Sequence, residues 1–487
     1  MKYVLGVDFG GGACKATLLS EKGKVAATAG AEYKTVYIGS GGREQDPADW
    51  YAASVKNIRA VLQSSNVRPE DVECIAFDAA THTAVLLDEN FEVVRRSVYW
   101  TDTRCQPQAE RLAKERGGEI FSRCKHRVDT IWTLPELLWL KENEPETWGR
   151  VKKIMFAKDY VRHLFTGDHL TDRIEAQGSM LYDFDTCDWI DEYLALLGLG
   201  RGNMPALASP ADTAGRVCAR AARDSGLKEG TKVIVGTTDT AAEVFAAGAV
   251  RKGQATVKLA TAGRICVVSD SLFPDEHIIN YSHVKSGLFY PGTATKSCAA
   301  SLRWFRDTFG GDYAGMDAAA EKIGVGCDGL LFHPYLSGEL TPYGDPKLRG
   351  SFTGISGTHT KAHFARAVME GAALSLSDCK QYLESKGVRI DSAFIIGGGA
   401  KSALWRSIVS DTLGIELATT ENNDSSFGSA MLAGIAGGFF TDCDDAVQKC
   451  CSVIGTTRPD AERTARYAQV FEKYIAIQRA LKKVYDA

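Results

Sequence analysis

Val233-Ile234-Val235-Gly236-Thr237-Thr238-Asp239-Thr240 decides how the chain is read. Its apolar run predicts a buried strand that delivers a carboxylate at its C-terminal tip. A small, apolar, helix-like segment follows, Ala241 to Val250. Then come Thr256-Val257-Lys258-Leu259-Ala260, a turn of small residues Thr261-Ala262-Gly263, and Ile265-Cys266-Val267-Val268. That is strand, tight turn, strand.

The N-terminus repeats the arrangement. Val4-Leu5-Gly6-Val7-Asp8 is a strand, Gly10-Gly11-Gly12 a turn, and Cys14-Lys15-Ala16-Thr17-Leu18-Leu19 a second strand. Two such turns facing each other can hold a polyphosphate through backbone N–H groups, and an Asp between the halves can act as a base. The first turn also reads as a plain tight turn. It is not a dinucleotide-binding turn, because no third glycine completes G-x-G-x-x-G and a strand-like run follows it where that motif needs a helix. Asp8, at a strand end, suits a hydrated Mg²⁺, which prefers carboxylate oxygens and keeps waters. Capping the turn is its structural alternative.

The totals bound the class. The chain has 487 residues, 57 basic and 61 acidic side chains, and a net charge of −4, so no basic excess points to nucleic acid. At roughly 100–200 residues per domain the length suggests two or three domains. No apolar run approaches the ~18 residues of a membrane span. The chain goes straight into a strand, so no signal peptide is expected. The 13 cysteines are scattered without C-x-x-C spacing, which argues for reduced thiols in the cytoplasm and against a metal cluster.

Along the chain, Asp46-Pro47 predicts a helix start ahead of the amphipathic run from Trp50 to Leu62. Val72 to Asp78 predicts a buried strand ending at Ala80-Thr81-His82-Thr83, where His82 is placed for a ligand at a strand's C-terminal edge, or is an ordinary core or surface histidine. Trp100, Asp102 and Arg104 combine an aromatic, a carboxylate and a guanidinium, which suits a polyhydroxylated ligand or forms an ordinary loop salt bridge. Residues 133–148 predict one helix with Pro135 in its first turn. Residues 205–232 are loop-rich, and the boundary between halves is expected near 240–255. In the second half, Gly350 to Gly357 reads as a glycine-rich loop, Thr360 as the cap of a helix from His363 to Glu384, and Phe394-Ile395-Ile396 as a strand. Gly397-Gly398-Gly399-Ala400 is the turn after it, and a helix runs from near Lys401 to about Leu413. Strand, triple glycine, helix means that backbone approaches something flat or charged. Residues 461–487 predict a terminal helix with Tyr467, Phe471, Tyr474, Leu481 and Val484 on its packing face.

These motifs, in this order, resemble the FGGY carbohydrate kinases over nearly the whole chain. The most specific part is Gly350-Ser351-Phe352-Thr353-Gly354-Ile355, seven residues, then His363-Phe364-Ala365-Arg366-Ala367-Val368-Met369-Glu370. Gly397-Gly398-Gly399-Ala400-Lys401-Ser402 with Trp405 is similar to the family's adenine-site strand-turn-helix. Glu44-Gln45-Asp46-Pro47 with Trp50, and His82 before an apolar strand, look most like xylulokinases. The resemblance implies an α/β fold of two actin-like (ribonuclease H-like) ATPase domains, 1–245 for sugar and 246–487 for nucleotide, with the active site in the cleft between them. It implies ATP and Mg²⁺ as cofactors, a cytoplasmic enzyme, a small-molecule sugar partner, neither nucleic acid nor membrane, and by analogy a homodimer.

Residue by residue, it makes Asp239 the general base and gives Mg²⁺ to Asp8 and Asp239. It places Asp8, Gly10, Gly11, Gly12, Lys15, Thr261 and Gly263 at the phosphates, and Gly398, Gly399, Ala400 and Lys401 near the adenine. Thr81, His82, Trp100, Asp102, Arg104 and Asp239 face the sugar. The implied reaction is ATP-dependent phosphorylation of a terminal hydroxyl of a ketopentose, D-xylulose to D-xylulose 5-phosphate.

There are departures. The first turn lacks the family's Thr or Ser hydroxyl, Ala80-Thr81-His82-Thr83 stands where xylulokinases read Gln-Met-His-Gly, Glu136 replaces a usual Lys, and Lys258 and Arg264 add positive charge to the second hairpin. The alternatives are a kinase for another ketose or polyol (ribulose, L-xylulose, erythritol) and a catalytically weak sugar or nucleotide sensor on the same fold. A chaperone-like or filament-forming ATPase is disfavoured by the sugar-kinase signatures.

Overall fold

A computed structural model describes residues 1–486. They form two units. The first comprises Met1–Val250, Tyr281–Gly287 and Asn422–Ser452, and the second comprises residues 251–280, 288–421 and those from Val453 on.

In the first unit, β1 (Tyr3–Phe9), β2 (Ala13–Ser20) and β3 (Val25–Glu32) pair antiparallel in sequence order. β4 (Val72–Ala79) lies parallel to β1 on its other side. Beyond it come antiparallel β5 (Thr213–Arg216) and parallel β6 (Lys232–Ile234), in the sheet order β5-β6-β4-β1-β2-β3. The two-residue β7 (Thr237–Thr238) also pairs with β4.

Side chains alternate across a strand, and the two faces of this sheet have different covers. Leu5, Val7 and Phe9 of β1 and Ile75, Phe77 and Ala79 of β4 pack into one core with Trp50, Ile58 and Val61 of helix Pro47–Ser65. Val4, Cys74 and Ala76 face the other way, into a core with Phe427, Ala430 and Met431 of helix Ser425–Ala436. That helix is built of small residues and lies very close to the sheet. A Cβ on Gly6 would sit 2.0 Å from the Ser426 carbonyl oxygen, so only glycine admits the helix there. Asp8 and Asp78 share the parity of Val4 and Cys74, so both carboxyls point to the side of the N-terminus of this helix.

The second unit repeats the order of strand directions in a six-stranded sheet. β8 (Gln254–Leu259), β9 (Gly263–Val267) and β10 (Gly292–Ala294) are antiparallel neighbours. β11 (Ser392–Ile396) is parallel to β8, β12 (Leu417–Thr420) is parallel to β11, and β13 (Val453–Thr457) closes the edge antiparallel. Both sheets thus read antiparallel, antiparallel, parallel, parallel, antiparallel from the β3 or β10 edge. This repeated sheet, with a long helix between its third and fourth strands in chain order, is the actin-like fold that the resemblance implies.

Boundaries follow local chemistry. Asp46 accepts from Ala48 N at 3.0 Å, and Pro47, which has no N–H to lose, opens its helix. The single helix expected over 133–148 is two, Thr133–Asn143 and Pro145–Arg150, because Pro145 cannot continue the first and suits the start of the second. The segment expected from Ala241 to Val250 is helical only over Asp239–Ala246, with Gly248 at φ 93° just beyond. The glycine-rich loop after Gly350 holds a short strand, Ser351–Thr353, and helix Lys361–Ser385 follows Thr360. Helix Ala461–Asp486 packs in the second unit, with Tyr467, Tyr474 and Gln478 buried. The Tyr467 hydroxyl donates to Glu370 Oε1 at 2.8 Å and Tyr474 Oη lies 2.9 Å from Tyr335 Oη, whereas Val484 is exposed.

His333, fully buried, has Nε2 3.0 Å from the Tyr474 carbonyl oxygen and its ring stacked on Tyr474 at 4.2 Å. Burial pushes its pKa down to about 4. Between the unfolded value of about 6.5 and that folded value, only the unfolded chain takes up the proton. Stability is therefore lost as pH falls through this window, by up to about 1.4 kcal/mol per pH unit. His333→Gln is expected to reduce the difference between urea midpoints measured at about pH 7 and about pH 5. An unchanged difference would remove His333 as the cause.

Candidate active site

Strand register gathers three carboxyls in the first unit. Asp8 of β1 lies beside Asp78 of β4, and Asp78 lies beside Thr237 of β7. Two residues later Asp239 opens helix Asp239–Ala246, after Gly236, whose φ of 76° turns the chain. Asp8 Oδ1 and Asp78 Oδ1 are both shielded from solvent with no protein donor. Burial is the main reason both carboxyls are shifted up. The Asp8 charge raises Asp78 further, and the Asp239 charge raises both. Asp239 Oδ1 accepts from Thr240 N at 2.6 Å, Thr240 Oγ1 at 3.2 Å and Thr81 Oγ1 at 3.4 Å.

The N-terminus of helix Ser425–Ala436 meets this cluster. Ser429 Oγ donates to Asp78 Oδ2 at 2.5 Å, and the N-cap Asp424 accepts from Phe427 N and pairs with Lys15 Nζ at 2.8 Å. Gly10, Gly11 and Gly12 form the turn from β1 to β2, closed by Gly10 N donating to Ala13 O at 3.0 Å.

His82 holds a left-handed backbone, φ 54°, unusual for a residue with a Cβ. Side chains secure it from both sides: its N–H donates to Glu175 Oε1, and its carbonyl oxygen accepts from Thr133 Oγ1 at 2.8 Å. Its buried ring lies 5.2 Å from the Trp132 ring, and burial, with a smaller contribution from His126, pushes its pKa down to about 3. The neutral ring leaves Nδ1 without a protein partner.

Beneath this loop lies a buried ionic cluster. Lys158 Nζ contacts Asp159 Oδ1 at 2.5 Å and Asp172 Oδ2 at 2.9 Å. Arg162 pairs with Asp159 and Asp168 at 2.7 Å each and donates to Val235 O at 2.5 Å. Asp172 Oδ1 accepts from Ile174 N, Glu175 N and Thr237 Oγ1. The cluster thus ties the strand end that carries Asp239 to the helix turn that carries Glu175.

Trp100 is exposed beside Tyr99. Asp102 and Arg104 are committed to each other. Asp102 Oδ1 accepts from Arg104 N at 2.8 Å, its Oδ2 accepts from Arg43 N at 2.7 Å, and Arg104 Nη2 reaches Asp102 and Glu44 at 2.8 Å each. The guanidinium covers the Trp139 ring at 4.4 Å, and Arg95 also pairs with Glu44. Glu136 is buried beside this pair, its carboxyl shifted well up by burial and then by the Asp102 charge.

In the second unit, Thr261 lies in the β8–β9 turn and Gly263 opens β9. Thr261 O accepts from Cys298 N at 2.9 Å, and Gly263 exchanges bonds with Thr295, N to Oγ1 at 3.0 Å and O from N at 2.9 Å. Gly398 to Lys401 form a 3₁₀ turn after β11, and Ser402 caps helix Ala403–Leu413 through Trp405 N at 3.0 Å. The helix starts two residues later than expected because Ser402, which has an oxygen to offer the orphan N–H groups, is the cap. A Cβ on Gly399 would lie 2.9 Å from Leu259 Cβ and 3.0 Å from Trp405, so the turn sits directly on β8, while at Gly398 it would meet open space.

Sequence reasoning singled out Asp8 and Asp239 but not Asp78, although Val72 to Asp78 ends an apolar run in Asp as Val4 to Asp8 does. It gave no signal for Glu175, Lys158 or Thr133. Nor did it mark Tyr281, which reaches the first unit from a distant stretch of chain and whose hydroxyl, with Thr81 and His82, crowds the space above Gly178.

Residues 3–246 match the N-terminal domain of the FGGY family of carbohydrate kinases, and residues 275–437 match its C-terminal domain. The chain is similar to the xylulose kinase of Bacillus subtilis, 32% identical over 97% of this chain and 96% of the relative. It is also similar to the gluconokinase of Bacillus licheniformis, 26% identical over 99% and 97%. The crystal structure of xylulose kinase from Rhodospirillum rubrum superposes with a TM-score of 0.92 at 26% identity, covering 100% of both chains. The chain therefore belongs to the FGGY family of carbohydrate kinases and is a phosphotransferase acting on a sugar.

Proposed function

We propose that this kinase transfers the γ-phosphoryl group of ATP to a terminal hydroxyl of a ketopentose, D-xylulose first, with Asp239 as general base. The observation that carries the reading is the Asp239 carboxylate, fixed through Oδ1 by Thr240 and set beside Thr81. A sugar hydroxyl is a weak nucleophile near neutral pH, and a positioned carboxylate accepts its proton as it attacks. His82 Nδ1, neutral and without a protein partner, is available to a second sugar hydroxyl. Trp100 offers an apolar face to the sugar, and Asp102 and Arg104 act by shaping that loop.

Mg²⁺ fits the carboxyls of the first unit. Asp8 Oδ1 and Asp78 Oδ1 lack donors, which suits a hard cation that takes one or two protein carboxylates together with substrate phosphates. Asp8 and Asp239 would hold it, with Asp78 behind them. When bound it supplies charge neutralisation for the phosphoryl oxygens. Gly10, Gly11 and Gly12 offer backbone donors to the phosphates, with Lys15 beside them, and Thr261 and Gly263 are the second unit's candidates for phosphate contact. Gly398, Gly399, Ala400 and Lys401 serve the adenine, which the open space above Gly398 admits.

ADP release with Mg-ATP across ketoses, polyols and aldonates tests the substrate. Aldonates belong in the panel because one relative is named a gluconokinase. A response led by D-xylulose is expected. A response led by another sugar would move specificity to Thr81 and Thr83 and keep the chemistry, and silence across the panel with ATP still bound would overturn the reading.

A further inference from the structure

We propose that Gln45, assisted by Thr35 and Tyr33, is a positioning residue for phosphoryl transfer. It pins the Gly10-Gly11-Gly12 turn so that the turn presents only N–H donors to the phosphates. This rests on the kinase reading above, in which the turn cradles phosphate.

Every carbonyl of the turn is held by a donor from the same unit. Tyr33 Oη donates to Gly10 O. Gln45 Nε2 donates to Gly11 O at 2.9 Å, and Thr35 Oγ1 donates to it at 3.1 Å. Tyr33 N donates to Gly12 O at 3.0 Å. Among the described residues nothing accepts from Gly11 N or Gly12 N, and both glycines are exposed. A peptide unit is planar and trans, so its C=O and N–H point in opposite directions. Gly10 O shares a peptide with Gly11 N, and Gly11 O with Gly12 N. Holding the two oxygens inward therefore aims the two N–H groups outward. Three consecutive glycines would otherwise sample many conformations, which is why pinning from outside matters here.

Gln45 is itself oriented. The indole Nε1 of Trp50, which can only donate, gives its hydrogen to Gln45 Oε1 at 3.1 Å in a buried setting. That forces Nε2 toward Gly11, and its second hydrogen goes to Thr35 Oγ1 at 2.9 Å. Asp46 caps the helix, Pro47 opens it, and Trp50 stands in its first turn. The run Gln45-Asp46-Pro47 with Trp50 thus acts as one device that ends on the glycine turn. At Gly11 the glycine has a local cause: a Cβ there would lie 2.8 Å from Tyr99 Oη.

Gln45→Glu keeps the length of the side chain and the acceptor for Trp50 but turns an oxygen toward Gly11 O. The expected result is a fall in kcat of about tenfold or more, with the sugar KM within about twofold of wild type and the thermal midpoint little changed. Trp50→Phe, which keeps the packing and frees the amide to flip, is expected to give a smaller loss of the same kind. Should Gln45→Glu fail to fold, Thr35→Val and Trp50→Phe carry the same test. A folded Gln45→Glu variant with unchanged kcat, or a loss expressed as a raised sugar KM, overturns the inference and leaves the kinase reading standing. Silence of the wild type across the sugar panel removes both.

Discussion

Asp239→Asn is expected to lower sugar-dependent ADP release by roughly 10²–10⁴-fold, the usual worth of a positioned general base. The amide keeps the shape of the carboxylate and can still accept from Thr240 N through Oδ1, so the helix start should survive. It loses the basic oxygen to which the proposed mechanism gives the hydroxyl proton. Sugar and ATP should still bind, because the amide keeps an oxygen toward the sugar and the metal position and removes only the charge and the basicity. Calorimetric binding of both ligands, beside the coupled ADP assay, separates the two effects. Near-normal turnover in a folded variant would transfer the base role elsewhere. Loss of sugar binding as well would make Asp239 chiefly a binding residue.

Lys158→Ala is expected to destabilise the first unit by about 3–5 kcal/mol, the range for breaking a buried charge pair by removing one partner. Lys158, Asp159 and Asp172 have no exposed side-chain surface. Burial works against the charge of Lys158, but Asp159, Asp172 and Glu175 outweigh it and raise its pKa. Removing the ammonium leaves Asp159 shared with Arg162 alone and leaves Asp172 Oδ2 without a cation. At roughly 2–4 °C per kcal/mol for a unit of about this size, the first thermal transition should fall by about 6–20 °C. Lys158→Met combined with Asp172→Asn removes both charges together and should recover part of the loss, since a charge stranded in the interior costs more than a pair deleted together. A fall of less than about 1 kcal/mol for Lys158→Ala would mean that water or a rearranged Arg162 replaces the ammonium.

Much of the candidate site's geometry was legible because it lies at the ends of apolar runs. Asp8 and Asp239 each follow a buried strand, and a carboxylate in that place has few purely structural uses. The glycine turns after Asp8, Leu259 and Ile396 were legible for the same reason: Gly10 to Gly12, Gly263 and Gly397 to Gly399 interrupt strand patterns where no side chain is wanted. The partners were not legible. Whether Asp102 and Arg104 face a ligand or each other depends on Glu44 and Arg95, which come from other strands and loops. The left-handed backbone of His82 has no local cause at all, being set by Glu175 and Thr133 from two separate helices.

The two-fold use of one strand-turn-strand unit, the carboxylates at strand tips, the helix start at Asp46-Pro47 and the family signatures are all specified locally. All of these are written in residues close together in the chain, through periodicity, capping and turn chemistry. That residues 422–452 pack in the first unit, that Ser425–Ala436 presses on Gly6 and that Asp78 stands beside Asp8 emerged only from the folded chain. The physical reason is that these depend on strand register and close packing between segments tens to hundreds of residues apart. Burial, which shifts Asp8, Asp78 and His82 away from their ordinary protonation, exists only once those segments have met.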